Sequence, residues 1–341
     1  MTSTGAVRWG IIGTANIARA AFLPGLRQAG GVAVAVAGRD AGRAAEYARE
    51  HGIERAVAGY QNLVDDPAID ALYIPLPNSL HAEWTIAALR AGKPVLCEKP
   101  LCGTLAETER VLAVAAETGT LLWESFVFPF HDQFARVTGL LADGAIGELR
   151  EIQSNFHFSV GRPDNIRLSR DLDGGALNDV GCYPVRLALE LFGAGHHSAW
   201  ATAEWGGQHV DMETRGSLGF TAGRRLLLSC GMRRAYDTFT SLQGSSGQIH
   251  LTNPFHPGPG DRFEVRPAGA EARSYVAAGE EPSFTAAIRH IQAVLAGAEE
   301  PRLLALDTAL PTARALHDLA ESAAHPADDA FPDRPSMAGC R

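Results

Sequence analysis

Apolar residues in the first 125 positions fall into short runs separated by amphipathic stretches, a pattern that predicts strands alternating with helices. The strands are predicted at residues 7–12, 32–37, 70–74, 94–97 and 121–123. The helices are predicted at residues 17–28, 41–50, 81–90 and 104–117, the first of them kinked or broken at Pro24. Strands spaced by helices of about 10–15 residues form a doubly wound parallel sheet. Residues 1–125 are therefore predicted to form a Rossmann domain.

The pattern changes after residue 125, where apolar and polar residues alternate with a period of two. Strands are predicted at residues 149–160, 210–215, 225–230, 237–243, 247–252 and 262–265, and helices at 131–142, 185–191, 283–296 and 306–323. Short strands joined by glycine turns predict a C-terminal α+β domain, residues 126–325, with a large, mostly antiparallel open sheet covered on one face. Residues 326–341, rich in Pro, Asp and Ala, are predicted to be a loosely ordered tail.

Composition excludes several classes of protein. The net charge of −9 argues against nucleic acid or an anionic membrane as a partner. No apolar run approaches the roughly 18 residues that span a bilayer, and the N-terminus lacks the basic start and apolar block of a signal peptide. The five cysteines have no Cys-x-x-Cys spacing and favour free thiols. We therefore expect a cytoplasmic protein without a metal site.

The turn after the first predicted strand has the spacing of a dinucleotide-binding fingerprint, which requires small residues at three positions. Gly13 suits the tight turn and Ala18 the contact between helix and strand, whereas Ala15 replaces the glycine where the backbone meets the pyrophosphate. The N-terminus of the following helix would still attract the phosphates. The cofactor-binding residues predicted in this turn are Gly13, Thr14, Ala15, Asn16 and Ile17.

The end of the second strand bears on the choice of cofactor. An acidic residue there binds the ribose hydroxyls of NAD, whereas an arginine accommodates the 2′-phosphate of NADP. Here Arg39 is followed by Asp40. Arg39 can pair with a phosphate, and Asp40 either caps the next helix or binds the ribose. The sequence therefore favours NADP(H) as the cofactor and leaves NAD(H) possible.

Two further positions carry candidate chemistry. Lys99 follows the strand 94–97, at the sheet edge where ligands bind in open α/β folds, and the pKa of an enclosed lysine falls readily. Asp179 and Tyr183 are four residues apart, which puts them on one face of a helix. A tyrosine, whose ordinary pKa is about 10, becomes a usable proton donor or acceptor near neutral pH when a lysine lies beside it. The structural alternative is a capping Asp179 and a half-buried Tyr183.

Four motifs complete the pattern. They are the glycine turn 10–18, the segment 74–81, Glu98-Lys99-Pro100, and the segment 174–183 with Leu191-Phe192-Gly193. Together they resemble the glucose–fructose oxidoreductase / inositol dehydrogenase / MocA family over nearly the whole chain. The resemblance implies a nucleotide-binding N-terminal domain and a C-terminal α/β domain whose sheet commonly serves oligomerisation. A self-complementary contact closes a dimer, so we expect a homodimer or homotetramer.

The same resemblance implies roles for individual residues. Lys99 corresponds to the catalytic lysine, with a cis peptide before Pro100, and Tyr183 to the usual acid or base. Asp179 corresponds to the carboxylate that accompanies them. The residues implied to line the nicotinamide side are Pro75, Leu76, Asn78, His81 and Glu98.

Two branches of the family resemble different parts of the chain. The turn at Arg39, the tyrosine at 183 and residues 253–257 look like NADP-dependent aldose and dihydrodiol dehydrogenases. Residues 126–128 and 164–167 look like NADPH-dependent ketoreductases of deoxysugar biosynthesis. An apolar wall at 127–129, which lacks the cation of the aldose branch, suits a deoxygenated or bulkier substrate. The substrate-binding residues predicted are Phe126, Phe128, Asn165, Arg167 and Asp179, while Arg162 and Arg167 either reach a substrate anion or are solvated.

The sequence therefore predicts an NADP(H)-dependent oxidoreductase that acts on CH–OH groups and moves hydride between nicotinamide and a carbon of a sugar or cyclic polyol. In reduction, Lys99 and Tyr183 would bind the carbonyl oxygen and Tyr183 would donate the proton, with His81 and His157 as the next candidate donors. The alternatives are an aldose or dihydrodiol dehydrogenase, a catalytically silent nucleotide sensor, and a redox-neutral enzyme with a tightly held cofactor.

Overall fold

Six parallel strands form the N-terminal sheet of the computed structural model, which describes residues 6–193, 195–206, 208–258, 260–277 and 281–324. The strands are β1 (Arg8–Ile12), β2 (Val32–Gly38), β3 (Arg55–Ala58), β4 (Ala71–Ile74), β5 (Val95–Cys97) and β6 (Leu122–Glu124). The helices are α1 (Leu23–Gln28), α2 (Ala41–His51), α3 (Tyr60–Val64), α4 (Asn78–Arg90) and α5 (Leu105–Thr118). The strand order β3-β2-β1-β4-β5-β6 confirms the predicted Rossmann sheet.

The strand β3 and the helix α3 were not predicted. Residues 55–58 of β3 are alternately half-buried and exposed, and β3 pairs with β2 at the edge of the sheet. Such a short edge strand carries too few apolar residues to produce a recognisable run.

The predicted kink at Pro24 takes the form of a π-helical turn, Ala18–Phe22. The N–H of Leu23 bonds to the carbonyl of Ala18, five residues earlier, and Pro24 follows at the start of α1. Proline has no N–H to donate to the carbonyl four residues earlier, so the regular series of helical hydrogen bonds is interrupted at Pro24. The π-helical turn lies directly before this interruption.

The second domain is built on an eight-stranded sheet. Its strands are β7 (Leu149–Ser159), β8 (Ser198–Trp205), β9 (Asp211–Gly219), β10 (Arg225–Gly231), β11 (Arg233–Gly244), β12 (Gly247–Leu251), β13 (Arg262–Pro267) and β14 (Arg273–Val276). Their order is β14-β13-β12-β11-β7-β10-β9-β8. β7 pairs with β10 in parallel, and the other neighbours are antiparallel. The mostly antiparallel sheet is confirmed; its two edge strands, β8 and β14, were not predicted.

Helices cover one face of this sheet. They are α6 (Asp132–Ala142), α7 (Cys182–Phe192) and the second half of α9 (Ala305–Ala324), whereas α8 (Ser283–Leu295) packs on the N-terminal domain. The helix α7 packs against β7 and β10, and α9 packs against β8. Side chains such as Ile152, Leu226 and Leu242 point to that face and are fully buried in the core.

The last two helices return to the N-terminal sheet. Ile288 and Ile291 of α8 belong to the apolar core beside β1 and β4. The first half of α9 places Ala305 and Ala309 in the other core of the same domain, whereas its second half, including Leu319, belongs to the core of the second domain. Helix α9 is therefore shared by both domains.

No helix within the described ranges combines the length and apolar character needed to cross a bilayer. In the same part of the chain, no three His, Cys, Asp or Glu side chains gather as a metal centre would require. The predicted tail 326–341 lies outside the described residues.

Candidate active site

A cavity of about 510 Å³ lies between the two domains. The first domain lines it with the loops that follow β1, β4, β5 and β6, which are the carboxyl ends of the parallel strands. The second domain lines it with parts of β7 and β11, the segment before α7 and the loop after β12. Open α/β sheets bind their ligands at this edge, where the strand order reverses around β1.

The glycine turn fits a dinucleotide. Gly13 has a positive φ of 107°, a conformation that favours glycine. A Cβ atom there would also lie 2.9 Å from Leu76 Cδ2, which would have to move. The Tyr47 hydroxyl donates to the carbonyl oxygen of Ala15 at 3.2 Å and fixes the turn. The predicted cofactor residues that line the cavity are Ala15, Asn16, Ile17, Pro75, Leu76, Asn78, Glu98 and Lys99. Those outside its wall are Gly13, Thr14, Arg39 and His81.

Asp40 has a structural role. Its Oδ1 accepts a hydrogen bond from the backbone N–H of Arg43 at 2.7 Å, which is the N-cap of α2. The capping alternative is therefore confirmed for Asp40. Arg39 is exposed immediately after β2, outside the cavity wall.

Lys99 lies in the cavity and bonds across the domain boundary. Its side chain is only 12% exposed, and Nζ donates to the backbone oxygen of Asp179 at 2.6 Å and to its Oδ1 at 3.3 Å. Burial opposes the charged form, but attraction to Asp179 outweighs it and raises the pKa of Lys99 above its usual value. The expected fall in this pKa is wrong, because a buried carboxylate faces the ammonium. The cis peptide before Pro100 is confirmed.

Asp179 is held between two cations. Arg167 Nε donates to its Oδ2 at 2.6 Å, opposite the oxygen that faces Lys99. Burial alone would raise the pKa of Asp179, but Lys99 and Arg167 hold that pKa below its usual value. Asp179 therefore stays ionised and fixes the direction of the lysine.

Tyr183 lies in an aromatic cluster. The ring of Phe126 meets it edge-on with centroids 5.5 Å apart, and Phe255 and Phe156 lie at 5.2 and 5.4 Å. Lys99 Nζ is 5.0 Å from the centroid of the Tyr183 ring. Burial raises the pKa of Tyr183 well above its usual value, and the nearby lysine only partly opposes this. The predicted shift toward neutrality is therefore wrong, and the hydroxyl keeps its proton.

His256 is a site residue that the sequence analysis missed as a proton carrier. Its Nε2 lies 3.3 Å from the Tyr183 hydroxyl, and it lines the cavity. Protein atoms packed around the imidazole and repulsion from Lys99 lower the pKa of His256, although the residue remains exposed to solvent. The two residues are 73 positions apart in sequence, and no local pattern joins them.

Glu98 anchors the end of β5 beside the cavity. Its Oε1 accepts from the Tyr73 hydroxyl at 2.7 Å, and its Oε2 accepts from the backbone N–H of Lys99 at 3.3 Å. Burial raises the pKa of this carboxyl despite the attraction of Lys99.

The two candidate histidine donors do not reach the cavity. The ring of His81 is fully buried, with its nitrogens 2.9 Å from the oxygen of Pro100 and 2.8 Å from that of Leu76. It supports the loop that carries Lys99. His157 Nε2 lies 3.0 Å from Ser229 Oγ, outside the cavity wall.

Some of the predicted substrate residues line the cavity and others do not. Phe126 and Phe128 lie behind the cavity wall, whereas Ser125 and Val127 line it. This corrects the prediction that the two phenylalanines contact substrate, because the chain leaving β6 turns both rings into the apolar core, where they are almost fully buried.

The structure also corrects the prediction for Asn165, and it decides between the two alternatives left open for Arg162. The Asn165 side chain accepts from the backbone N–H of Arg167 at 3.0 Å and caps a short helix. Arg162 is exposed and pairs with Asp164, so only Arg167 of the two arginines reaches the cavity.

Comparison with known proteins agrees with this architecture. Residues 7–126 match the family model described as an oxidoreductase family with an NAD-binding Rossmann fold. Residues 134–250 match the GFO/IDH/MocA C-terminal domain. The fold and the cavity thus define a two-domain, dinucleotide-binding oxidoreductase. The chain belongs to the Gfo/Idh/MocA oxidoreductase family, as its motifs predict.

Three similar proteins share most of their length with the chain. A dTDP-3,4-didehydro-2,6-dideoxy-alpha-D-glucose 3-reductase of Streptomyces antibioticus is 37% identical over 86% of this chain and 90% of its own. A D-xylose 1-dehydrogenase (NADP(+)) of Haloferax volcanii is 34% identical over 80% of this chain and 81% of its own. A 3-ketoreductase of Actinomadura kijaniata, solved with NADP and TDP-benzene, is 32% identical with a TM-score of 0.86 over 93% of this chain and 98% of its own.

Proposed function

We propose that the protein is an NADPH-dependent reductase of a keto group on a deoxygenated sugar. The observation that carries the proposal is that Lys99 and Tyr183 line one cavity beside the glycine turn, with Lys99 Nζ 5.0 Å from the centroid of the Tyr183 ring. A charged donor and a neutral acid are what a carbonyl oxygen needs as it gains negative charge. The similar keto-sugar reductases support the same reaction.

The residues that would hold NADP(H) are those of the glycine turn together with Pro75, Leu76 and Asn78, and Arg39 for the 2′-phosphate. When bound, the cofactor supplies the hydride. Lys99 binds the carbonyl oxygen by charge, Tyr183 donates its hydroxyl proton to that oxygen, and Asp179 keeps the lysine charged and aimed.

The substrate side of the cavity favours a sugar with fewer hydroxyl groups. Val127, Phe156 and Phe158 supply apolar surface, and Arg167 stacks on Phe158 with its guanidinium carbon 5.6 Å from the ring centroid. A hydroxyl group that meets such a wall loses its hydrogen bonds to water without replacement, which disfavours a fully hydroxylated aldose.

The direct test has two stages. NADPH and NADH are titrated by cofactor fluorescence, and the tighter cofactor is then supplied with a panel of keto-sugars and, in its oxidised form, of aldoses. Faster turnover of keto-sugars supports the proposal. Faster oxidation of aldoses would instead favour a sugar dehydrogenase, and a cofactor that survives dialysis without net turnover would favour a redox-neutral enzyme.

Arg39→Ala is expected to weaken NADPH binding and leave NADH binding unchanged. Loss of one charged hydrogen bond costs about 1.5–3 kcal/mol, which is about 10- to 100-fold in Kd. The measurement is a pair of fluorescence titrations. Arg43→Ala is the matched control, because Arg43 bonds to Asp40 through its backbone N–H. Equal affinities of the unaltered protein for both cofactors would contradict the assignment to NADPH.

We also propose that the uncovered face of the C-terminal sheet joins two copies of the chain. Trp200 of β8 and Leu227 of β10 are 55% and 37% exposed on this face. Exposed apolar side chains that lie together often mark a protein–protein contact surface. Light scattering at micromolar concentration should give a dimer or a larger even oligomer. Leu227→Arg should shift the protein toward monomer, whereas Leu306→Arg on the exposed side of α9 should not. A monomeric unaltered protein would refute the contact.

A further inference from the structure

The Tyr183 hydroxyl has a histidine beside it. His256 Nε2 lies 3.3 Å from the hydroxyl oxygen, and the two rings meet at 67° with centroids 5.3 Å apart. Lys99 directs its ammonium at both oxygens of Asp179 that face it, the backbone carbonyl and Oδ1. Within the described part of the chain, the histidine is thus the polar group placed to exchange a proton with Tyr183.

The position of His256 is built into the loop after β12. The Asn253 side chain accepts from the backbone N–H of His256 at 3.2 Å and donates to its carbonyl oxygen at 2.6 Å. The same amide donates to Asp261 Oδ2 at 2.9 Å. The ring of Phe156 meets the imidazole nearly edge-on, with centroids 5.9 Å apart. Because these backbone bonds do not involve the imidazole, the loop can keep its shape when the side chain is replaced.

We propose that His256 is the positioning residue that returns a proton to Tyr183 during each reduction, so that protons reach the substrate oxygen from solvent through His256 and Tyr183. This proposal rests on the proposed ketone reduction. The imidazole acts through the tyrosine and touches neither the substrate carbon nor the hydride.

The protons balance as follows. A carbonyl carbon that accepts a hydride leaves an electron pair on its oxygen, and that oxygen takes the Tyr183 hydroxyl proton. The phenolate takes the Nε2 proton of a neutral imidazole, and Nδ1 gains one proton from water. Each turnover consumes one hydride and one solvent proton, and the imidazole changes tautomer. A second exchange with water restores the starting tautomer.

The neutral form of His256 suits this role. A lowered pKa keeps one ring nitrogen as donor and the other as acceptor at neutral pH. Burial raises the pKa of Tyr183, so its phenolate is a strong base, and it takes the Nε2 proton as Nδ1 accepts one from water.

The kinetic test uses two substitutions of the histidine. His256→Gln keeps an N–H donor but cannot pass a proton through its side chain, and His256→Ala leaves space for added imidazole. Both should lower kcat by about 10²-fold, the lower end of proton-transfer catalysis, with KM and NADPH affinity little changed. The solvent deuterium isotope effect on kcat should rise, and imidazole in the buffer should restore turnover of His256→Ala. His250→Gln, on β12 outside the cavity wall, is the control and should do none of this.

A measurement without cofactor or substrate separates the relay from the reaction. The observable is the NMR chemical shift of the imidazole nitrogens in the free protein. The chemical shifts of His256 should change in the Tyr183→Phe variant, whereas those of His250 should not. Full turnover of His256→Gln would overturn the relay but not the proposed function. The same holds if the chemical shifts of His256 are unchanged in the Tyr183→Phe variant. Coupled shifts in a protein that reduces no keto-sugar would instead overturn the proposed function, and the relay with it.

Discussion

Lys99→Ala is expected to lower kcat by about 10²- to 10³-fold, the cost of removing one donor to an oxyanion that develops in the transition state. The ammonium stays charged because Asp179 faces it, so its attraction grows as the carbonyl oxygen gains charge. Binding of NADPH should change little, because the glycine turn and Arg39 hold the remote parts of the cofactor. Steady-state kinetics with a keto-sugar and a fluorescence titration of NADPH measure the two effects separately.

The matched control is Lys93, which lies just before the start of β5, whereas Lys99 follows the end of that strand. Lys93 donates to the backbone oxygens of Asp66 and Ile69 at 2.9 and 2.7 Å. Lys93→Ala should lower the free energy of unfolding without a comparable loss in kcat. If Lys99→Ala keeps turnover within a few-fold of the unaltered protein, or fails only by losing NADPH, the role of Lys99 is wrong.

Tyr183→Phe is expected to lower kcat by about 10²- to 10⁴-fold, the range for general acid catalysis. The substitution keeps the ring contacts with Phe126, Phe156 and Phe255 and removes only the hydroxyl. Thermal unfolding should therefore change little while the chemical step slows. Single-turnover measurements with bound NADPH isolate that step from product release.

Tyr236→Phe is the control for this prediction. Tyr236 also lines the cavity, is 62% exposed, and packs edge-on against Phe156. Loss of its hydroxyl should leave kcat nearly unchanged. Near-full turnover of Tyr183→Phe would require a different proton donor. The double variant with Lys99→Ala should lose less than the product of the two single effects, since both groups act on one oxygen.

The sequence predicted what depends on local pattern. The central strands of both sheets and the turn at Gly13 follow from apolar runs and glycine spacing. The strands β3, β8 and β14 were missed because edge strands bury less side chain and show weaker patterns. The motifs also predicted that Lys99, Asp179 and Tyr183 lie close together, and all three line one cavity.

Features that depend on three-dimensional direction could not be predicted. Which of Phe126 and Val127 faces the cavity depends on how the chain leaves β6. The pKa of Tyr183 depends on where the Lys99 ammonium points, and that direction is set by Asp179 from the other domain. His256 reaches Tyr183 only because the loop after β12 folds over α7, and no spacing in the chain encodes that contact.

Helix α9 has a consequence for how the protein is made. The strands of the N-terminal sheet leave the ribosome first. One apolar core of this domain is completed by Ala305 and Ala309 of α9, and its other core by Ile288 and Ile291 of α8. Domains ordinarily fold in the order of synthesis. Here the nascent N-terminal domain keeps uncovered apolar surface until α8 and α9 have been synthesised, so the packing of both domains is completed only after these two helices emerge.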